Sequence, residues 1–290
     1  MHRFTGLAWL ALAFMATAGL TLSGPASAQP AQDPAMRGRY LVESIAGCGN
    51  CHTPQGPDGN LPGLTLAGGM VFDEKPFRAV SSNITPDPET GIGRWTDAQI
   101  ILAIREGKRP DGTIIGPPMP IELYRGLSDR DVAAMVAYLR TVPPVRNAVA
   151  PSEYRIPLPP AYGPAVASVP DPPADDPVVR GRYLAGPVGH CVECHTPMGE
   201  GGRRDWSRIG AGGQTFEGPW GVSVARNLTS HPEAGLGGWS DAQIHRALRQ
   251  GVSADGRRLF PPMGFQYYAK MNDDDMRDLV AYLRSLPSLP

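Results

Sequence analysis

Cysteine is scarce in this chain of 290 residues: there are four, and all belong to two short Cys-x-x-Cys-His stretches. None is left over to bridge distant loops. A closed zinc site needs four ligands, and each stretch offers only two cysteines and one histidine close together. Excess charge is missing as well, with 27 Lys and Arg against 28 Asp and Glu. A protein that tracks nucleic-acid phosphates carries a basic surplus, and a solvating tail carries strong acidity; this chain has neither. Long apolar runs are absent after residue 28, so no later segment is apolar enough to cross a bilayer. Histidine is rare too: past the first 28 residues, the first half holds only His52.

What is present begins with a leader. Arg3 is the one charged side chain of the first 28 residues, an apolar run extends from Leu7 to about Leu22, and Ala26-Ser27-Ala28 precedes Gln29. This pattern is that of a signal peptide over 1–28 with a small-residue cleavage site, and it predicts export to the periplasm. An uncleaved membrane anchor is the alternative, because the apolar run is near the short limit for a span. Peripheral association of the exported chain with the membrane is compatible with either.

The remainder is written twice. "RGRYLVESIAGCGNCHTP" from Arg37 returns as "RGRYLAGPVGHCVECHTP" from Arg180, 143 positions on. After one inserted residue the offset becomes 144, carrying Trp95 to Trp239, Met119 to Met263 and "AYLRTVP" to "AYLRSLP". Two domains of one fold are expected, over 29–147 and 177–290. Between them, 148–176 is proline-laden and without helical period, which reads as an extended linker; its Tyr154, Ile156, Leu158 and Tyr162 suggest packing along the domains. Three helices are expected per half: Asp33 to Ile45 and Asp176 to about Leu184; one opening at Thr96 or Ser240, each with a capping-box glutamine three residues on; and one opening at Ser128 or Asn272 with a single apolar face. The rest, rich in Gly and Pro, reads as loop. Such units are mostly α and too loop-rich to build a core unaided.

Cys48-x-x-Cys51-His52 and Cys191-x-x-Cys194-His195 account for that missing core. In an exported chain this motif reads as covalent attachment of a c-type haem. Two thiols three positions apart reach two vinyl groups of one porphyrin edge, and the next residue turns its imidazole to the iron. A disulfide or thioredoxin-like pair would require neither the histidine nor the duplication. Iron held by His52 calls for a sixth ligand. Met36, Met70, Met119 and Met135 align through the repeat with Val179, Gln214, Met263 and Leu279, so Met119 and Met263 are the expected distal ligands. Each lies in a proline-stiffened loop, "GPPMP" or "FPPMG", which suits a weak sulfur bond that a mobile loop would lose. Trp95, Trp239, Asn83 and Asn227 are candidates for hydrogen bonds to haem propionates, core packing being the alternative for the tryptophans.

"GRYL…CxxCHTP", "AGGMVF", "SSNITPDPETGIGRWTDAQI", "REGKRPDGT", "PPMP" and "LSDRDVAAMVAYLRTVPPV" resemble the cytochrome c subunits of membrane-bound alcohol, aldehyde and gluconate dehydrogenases, in two copies over essentially the whole chain beyond the leader. The resemblance implies two tandem class-I-like cytochrome c domains, two covalently attached haem c groups, and electron transfer between a donor such as a membrane-associated dehydrogenase and a respiratory acceptor, a cytochrome or terminal oxidase. Those subunits commonly carry three such domains; this chain has two. The rival function is a dihaem redox enzyme, a peroxidase or thiosulfate oxidiser. A peroxidase needs one iron open, and the thiosulfate enzymes take a cysteine as distal ligand, whereas both halves here keep the methionine. A haem-based sensor would need an output domain, and none is legible.

Overall fold

In a computed structural model the chain is described over residues 1–2, 33–56, 59–218 and 220–290; the leader and its cleavage site fall almost wholly outside. Residues from Gln32 to Pro290 form one unit. In the first half, helix α1 (Pro34–Glu43) is capped by Asp33, whose side chain accepts from the Ala35 amide. One turn of helix, α2 (Gly49–His52), carries the first Cys-x-x-Cys-His. A minimal hairpin, β1 (Gln55–Gly56) and β2 (Gly59–Asn60), and a longer one, β3 (Val71–Glu74) and β4 (Phe77–Val80), follow. Then come α3 (Asp97–Glu106), the single turn α4 (Ile121–Tyr124) and α5 (Asp129–Leu139). The Thr96–Gln99 capping box is present at α3, and Ser128 caps α5.

After the linker's short strand β5 (Glu153–Tyr154) the pattern recurs as α6 (Pro177–Tyr183), α7 (Cys191–Cys194), the hairpin β6 (Thr215–Gly218) and β7 (Gly221–Val224), α8 (Asp241–Gln250), α9 (Phe265–Tyr268) and α10 (Asp273–Ser285). The hairpins correct the expectation of loop between the cysteines and the second helix. Val71 to Val80 pairs through a tight turn at Lys75-Pro76, a short antiparallel pairing that Gly/Pro content alone hides. Helix α6 also departs from expectation at its end, where the chain widens into a π-type turn over Leu184–Val188 around Pro187, whose missing amide cannot continue the α ladder.

The two halves share one helix crossing, the first helix packed on the last. Gly38 of α1 packs on α5 so closely that a Cβ there would lie 1.8 Å from the Ala134 carbonyl oxygen, and at Gly181 of α6 it would lie 1.9 Å from that of Asp278 in α10. Around these contacts Leu41, Val42 and Ile45 bury against Val132, Val136 and Leu139, as Leu184 and Val188 do near Met276, Leu279 and Leu283. Each such side chain contributes about 1.5–3 kcal/mol by leaving water. The linker runs along the first half: Glu153–Tyr154 pairs with β4, the Tyr162 hydroxyl donates to the Ile115 carbonyl at 2.8 Å, and the Asp129 amide donates to the Val169 carbonyl at 2.9 Å.

The halves meet through a polar cluster with pseudo-twofold symmetry. Tyr40 of the first half donates to Asp275 of the second at 2.8 Å, and Tyr183 of the second donates to Asp131 of the first at 2.9 Å. Arg37 and Arg180 complete it, Arg37 with Nη2 2.9 Å from Asp131 and Arg180 with Nη2 3.1 Å from Asp275. No helix among the described residues is long and apolar enough to cross a membrane.

Candidate functional site

Both Cys-x-x-Cys-His turns open onto one cavity of about 3000 Å³ that runs through both halves. That is several times the roughly 300–1,000 Å³ of an ordinary small-molecule pocket. Cys48, Cys51, His52 and Met119 line it from the first half; Cys191, Cys194, His195 and Met263 line it from the second. The four cysteines are unpaired and half-buried, their remaining exposure facing the cavity they line. Its walls are otherwise largely aliphatic and aromatic, including Ile84, Ile92, Ile100, Leu123 and Leu139.

The histidines are aimed by the backbone. His52 Nδ1 lies 2.7 Å from the Ser82 carbonyl oxygen and His195 Nδ1 lies 2.6 Å from that of Arg226. A carbonyl only accepts, so Nδ1 carries the proton and Nε2 keeps its lone pair for a ligand. Burial holds both imidazoles below their ordinary pKa, against the opposing pull of those hydrogen bonds, which favours the neutral, ligating form. Burial also pushes the Cys48 and Cys51 thiols up to about 12 and the Cys191 thiol up to about 11. Buried thiols of this kind are not the low-pKa thiolates of a redox pair. The Glu193 carboxylate adds to the rise at Cys51, although it belongs to the other half's motif, so the two attachment turns lie near one another across the cavity.

Each methionine loop runs directly into a helical turn, the Met119 carbonyl accepting from the Ile121 amide at 2.8 Å and that of Met263 from the Phe265 amide at 3.1 Å. The linker braces the first loop: Tyr154 and Leu158 lie over Gly116, where a Cβ would come within 2.5 Å of the Tyr154 ring. The second loop is held by the first half, Asn50 Nδ2 donating to the Pro262 carbonyl at 3.2 Å.

Trp95 and Trp239 line the cavity and pack on the core, their carbonyls fixed by Arg140 and Arg284. Asn83 also lines the cavity. Its two amide hydrogens already go to Thr90 Oγ1 at 3.0 Å and to the Val145 carbonyl at 2.7 Å. Asn227 repeats one of these bonds, to the Leu289 carbonyl at 2.7 Å, and lines the cavity. Two tyrosines, buried Tyr124 and partly buried Tyr268, escaped the sequence reading. Tyr124 and Tyr268 line the cavity, each five residues after its methionine, and burial holds both phenols well above their ordinary pKa and hence neutral. Tyr124 meets the ring of His190 edge-on, centroids 5.9 Å apart, which places that histidine between the halves rather than on a free loop. A repeated Met-x-x-x-x-Tyr spacing was the signal for the pair.

These residues fit a haem in each half on three counts: paired thiols followed by an imidazole with a free Nε2, a thioether on a proline-rich loop lining the same cavity, and a mostly apolar cavity large enough for two macrocycles.

Comparison with known proteins agrees with that chemistry. The sequence model described as cytochrome c matches residues 35–143 and again 178–287. The chain is 34% identical to the cytochrome c subunit of a quinone alcohol dehydrogenase from Gluconobacter oxydans, over 92% of this chain and 58% of that protein. It is 33% identical to a dihaem cytochrome c-type protein of Cereibacter sphaeroides, over 97% of this chain and 98% of that one. It is 32% identical to the gluconate 2-dehydrogenase cytochrome c subunit of Pantoea cypripedii, over 92% of this chain and 63% of that protein. The chain thus spans about three-fifths of the length of several dehydrogenase relatives.

Proposed function

Because the chain belongs to the cytochrome c family and carries two covalently attached haem c groups, we propose that it is a periplasmic dihaem electron carrier built of two class-I-like domains. In this reading Cys48 and Cys51 tether the first haem and Cys191 and Cys194 the second. His52 with Met119, and His195 with Met263, would hold the two irons. The haem would supply one-electron chemistry through its ferric and ferrous states. The protein's part is to hold and insulate. Ser82 and Arg226 carbonyls fix each imidazole, the stiff loops keep each thioether facing it, and Tyr124 and Tyr268 exclude water as neutral walls. With an imidazole and a thioether committed to each iron, no position would be left for a substrate, which favours carrier over enzyme. One shared cavity joins the two sites.

A dehydrogenase is the proposed donor and a cytochrome or terminal oxidase the proposed acceptor. The cytochrome subunits of quinone alcohol and gluconate dehydrogenases among its relatives support the donor. The end-to-end match to a dihaem protein supports a free-standing carrier. The observation that carries the reading is the pair of His–Met couples lining a single cavity. Mass spectrometry of the exported chain is expected to show two added haems and no leader. The oxidised protein is expected to show the far-red absorption of an iron–thioether bond, halved in Met119→Ala and in Met263→Ala and lost in the double variant. A full band in the double variant would sink the ligand assignment.

A further inference from the structure

The two halves differ at the outer edge of the longer hairpin, where the repeat predicts likeness. In the first half β4 is a central strand, flanked by β3 and by the linker strand β5, with Phe77 opposite Tyr154 and Arg78 opposite Glu153. The Val80 amide donates outward to Ser152 Oγ at 3.0 Å, and the Arg155 amide donates to the Pro76 carbonyl at 2.9 Å. Under that cover Phe77, Ala79 and Val80 are buried. In the second half β7 holds the same register on β6, Val224 opposite Thr215 as Val80 is opposite Val71. Its other edge pairs with no strand among the described residues.

Uncovered, the second half shows apolar surface. Val224, the counterpart of buried Val80, is 51% exposed, and Val222 is 66% exposed. Phe260, standing where the first half has Gly116, is 59% exposed. All three also line the cavity that holds His195 and Met263. An open strand edge with apolar side chains is a template for an added strand. The strap of the first half shows what such a strand looks like in this fold: extended, with proline breaking its far end.

Charge selects the occupant. Arg226, two residues beyond Val224, and Arg258, two before Phe260, are exposed and have no carboxylate partner among the described residues. Their first-half counterparts are Ser82 and Ile114. Glu217, across from Val222, is the nearest opposing charge on the hairpin. A second copy meeting edge to edge would set these arginines against their own kind. We infer that the β7 edge with Phe260 is a docking site for an extended, carboxylate-bearing segment of the redox partner protein, which adds as a third strand beside the second haem. The inference rests on the electron-carrier reading for its location at a haem, and on the strand edge alone for its binding.

The probe is a fluorescein-labelled peptide, APSEAEIP, which is residues 150–157 of the strap with alanine at the tyrosine and glutamate at the arginine. Alanine leaves room for Phe260, whose counterpart Gly116 lies under the Tyr154 ring in the first half. Fluorescence anisotropy with the haem-loaded full protein is expected to show saturable binding. That binding should weaken at least tenfold in Val224→Asp and in Arg258→Glu, and stay within twofold in the first-half control Val71→Asp. Haem content and the far-red band, read on the same samples, separate misfolding from lost docking, and Arg258→Glu at an exposed arginine carries the test should Val224→Asp misfold. No saturable binding to a protein with two haems and a full far-red band would overturn the docking site and leave the carrier reading standing. A protein without two haems would overturn the carrier reading while binding still reports on the edge. Sedimentation showing a dimer that Val224→Asp abolishes would give the edge to a second copy. Binding that appears only after residues 29–32 are removed would give it to the chain's own amino terminus. Either result overturns the inference.

Discussion

Replacing Asp131 by asparagine is expected to weaken the joint between the halves, and to do so in a pH-dependent way. Asp131 is 1% exposed and accepts from Arg37 Nε at 3.0 Å, from Arg37 Nη2 at 2.9 Å and from the Tyr183 hydroxyl at 2.9 Å. Removing one partner of a buried ion pair costs about 3–5 kcal/mol. Arg37 keeps 22% of its side chain exposed and has Asp275 within 3.9 Å, so solvent and the second carboxylate cut the expected loss to about 2–3 kcal/mol. Burial by itself pushes the Asp131 carboxyl up; the Arg37 hydrogen bond and charge, joined by Tyr183, outweigh it and hold the group below its ordinary value. A carboxyl depressed in the folded state contributes stability that is complete above its unfolded pKa, about 3.9, and is lost as pH falls through the folded value. Urea unfolding of the haem-loaded protein, followed by circular dichroism, is therefore expected to separate wild type from Asp131→Asn widely at neutral pH. The gap should narrow progressively below about pH 4. An equal gap at both pH values, or none at neutral pH, would refute the role given to this carboxylate.

Gly38→Ala and Gly181→Ala should each force a helix crossing apart, since the new methyl would sit under 2 Å from a backbone carbonyl oxygen; a loss of at least about 2 kcal/mol is expected, read as a lowered melting temperature. A variant as stable as wild type would mean that the helices do not cross at these glycines. Tyr162→Phe removes the brace on the Ile115 carbonyl at the start of the Met119 loop. It should cost about 1 kcal/mol and release one of the two iron–thioether bands at lower denaturant, with the other unmoved; a uniform shift of both would count against the linker as a brace.

Local chemistry was the legible part of this protein. Thr96 and Gln99, Ser128 and Asp33 announce their helices because capping is decided within four residues. The repeat singled out Met119 as a candidate by comparing each half with the other, a comparison that needs no coordinates. Hairpins went unread because Val71–Val80 is short and bounded by the glycines and prolines that also mark loops. The Asn83 hydrogen bonds were hidden for a related reason: its amide reaches Val145, a residue 62 positions away that no local pattern links to it. The cluster between the halves shows where duplication helps and where it stops. Tyr40 and Tyr183 correspond, as do Asp131 and Asp275, yet each tyrosine bonds the aspartate of the other copy. Alignment of the halves identifies both pairs of equivalent residues and is blind to the exchange, because a contact within a copy and a contact between copies leave the same mark on the sequence. Geometry alone distinguishes them. The same limit applies to β4 and β7, which hold one register although only the last of their four residues agrees: one lies under the linker, and the other is left at the sheet edge. What a repeated unit does in each copy is thus set by the unrepeated segment beside it, here residues 148–176, which brace the Met119 loop and cover β4 in the first half only.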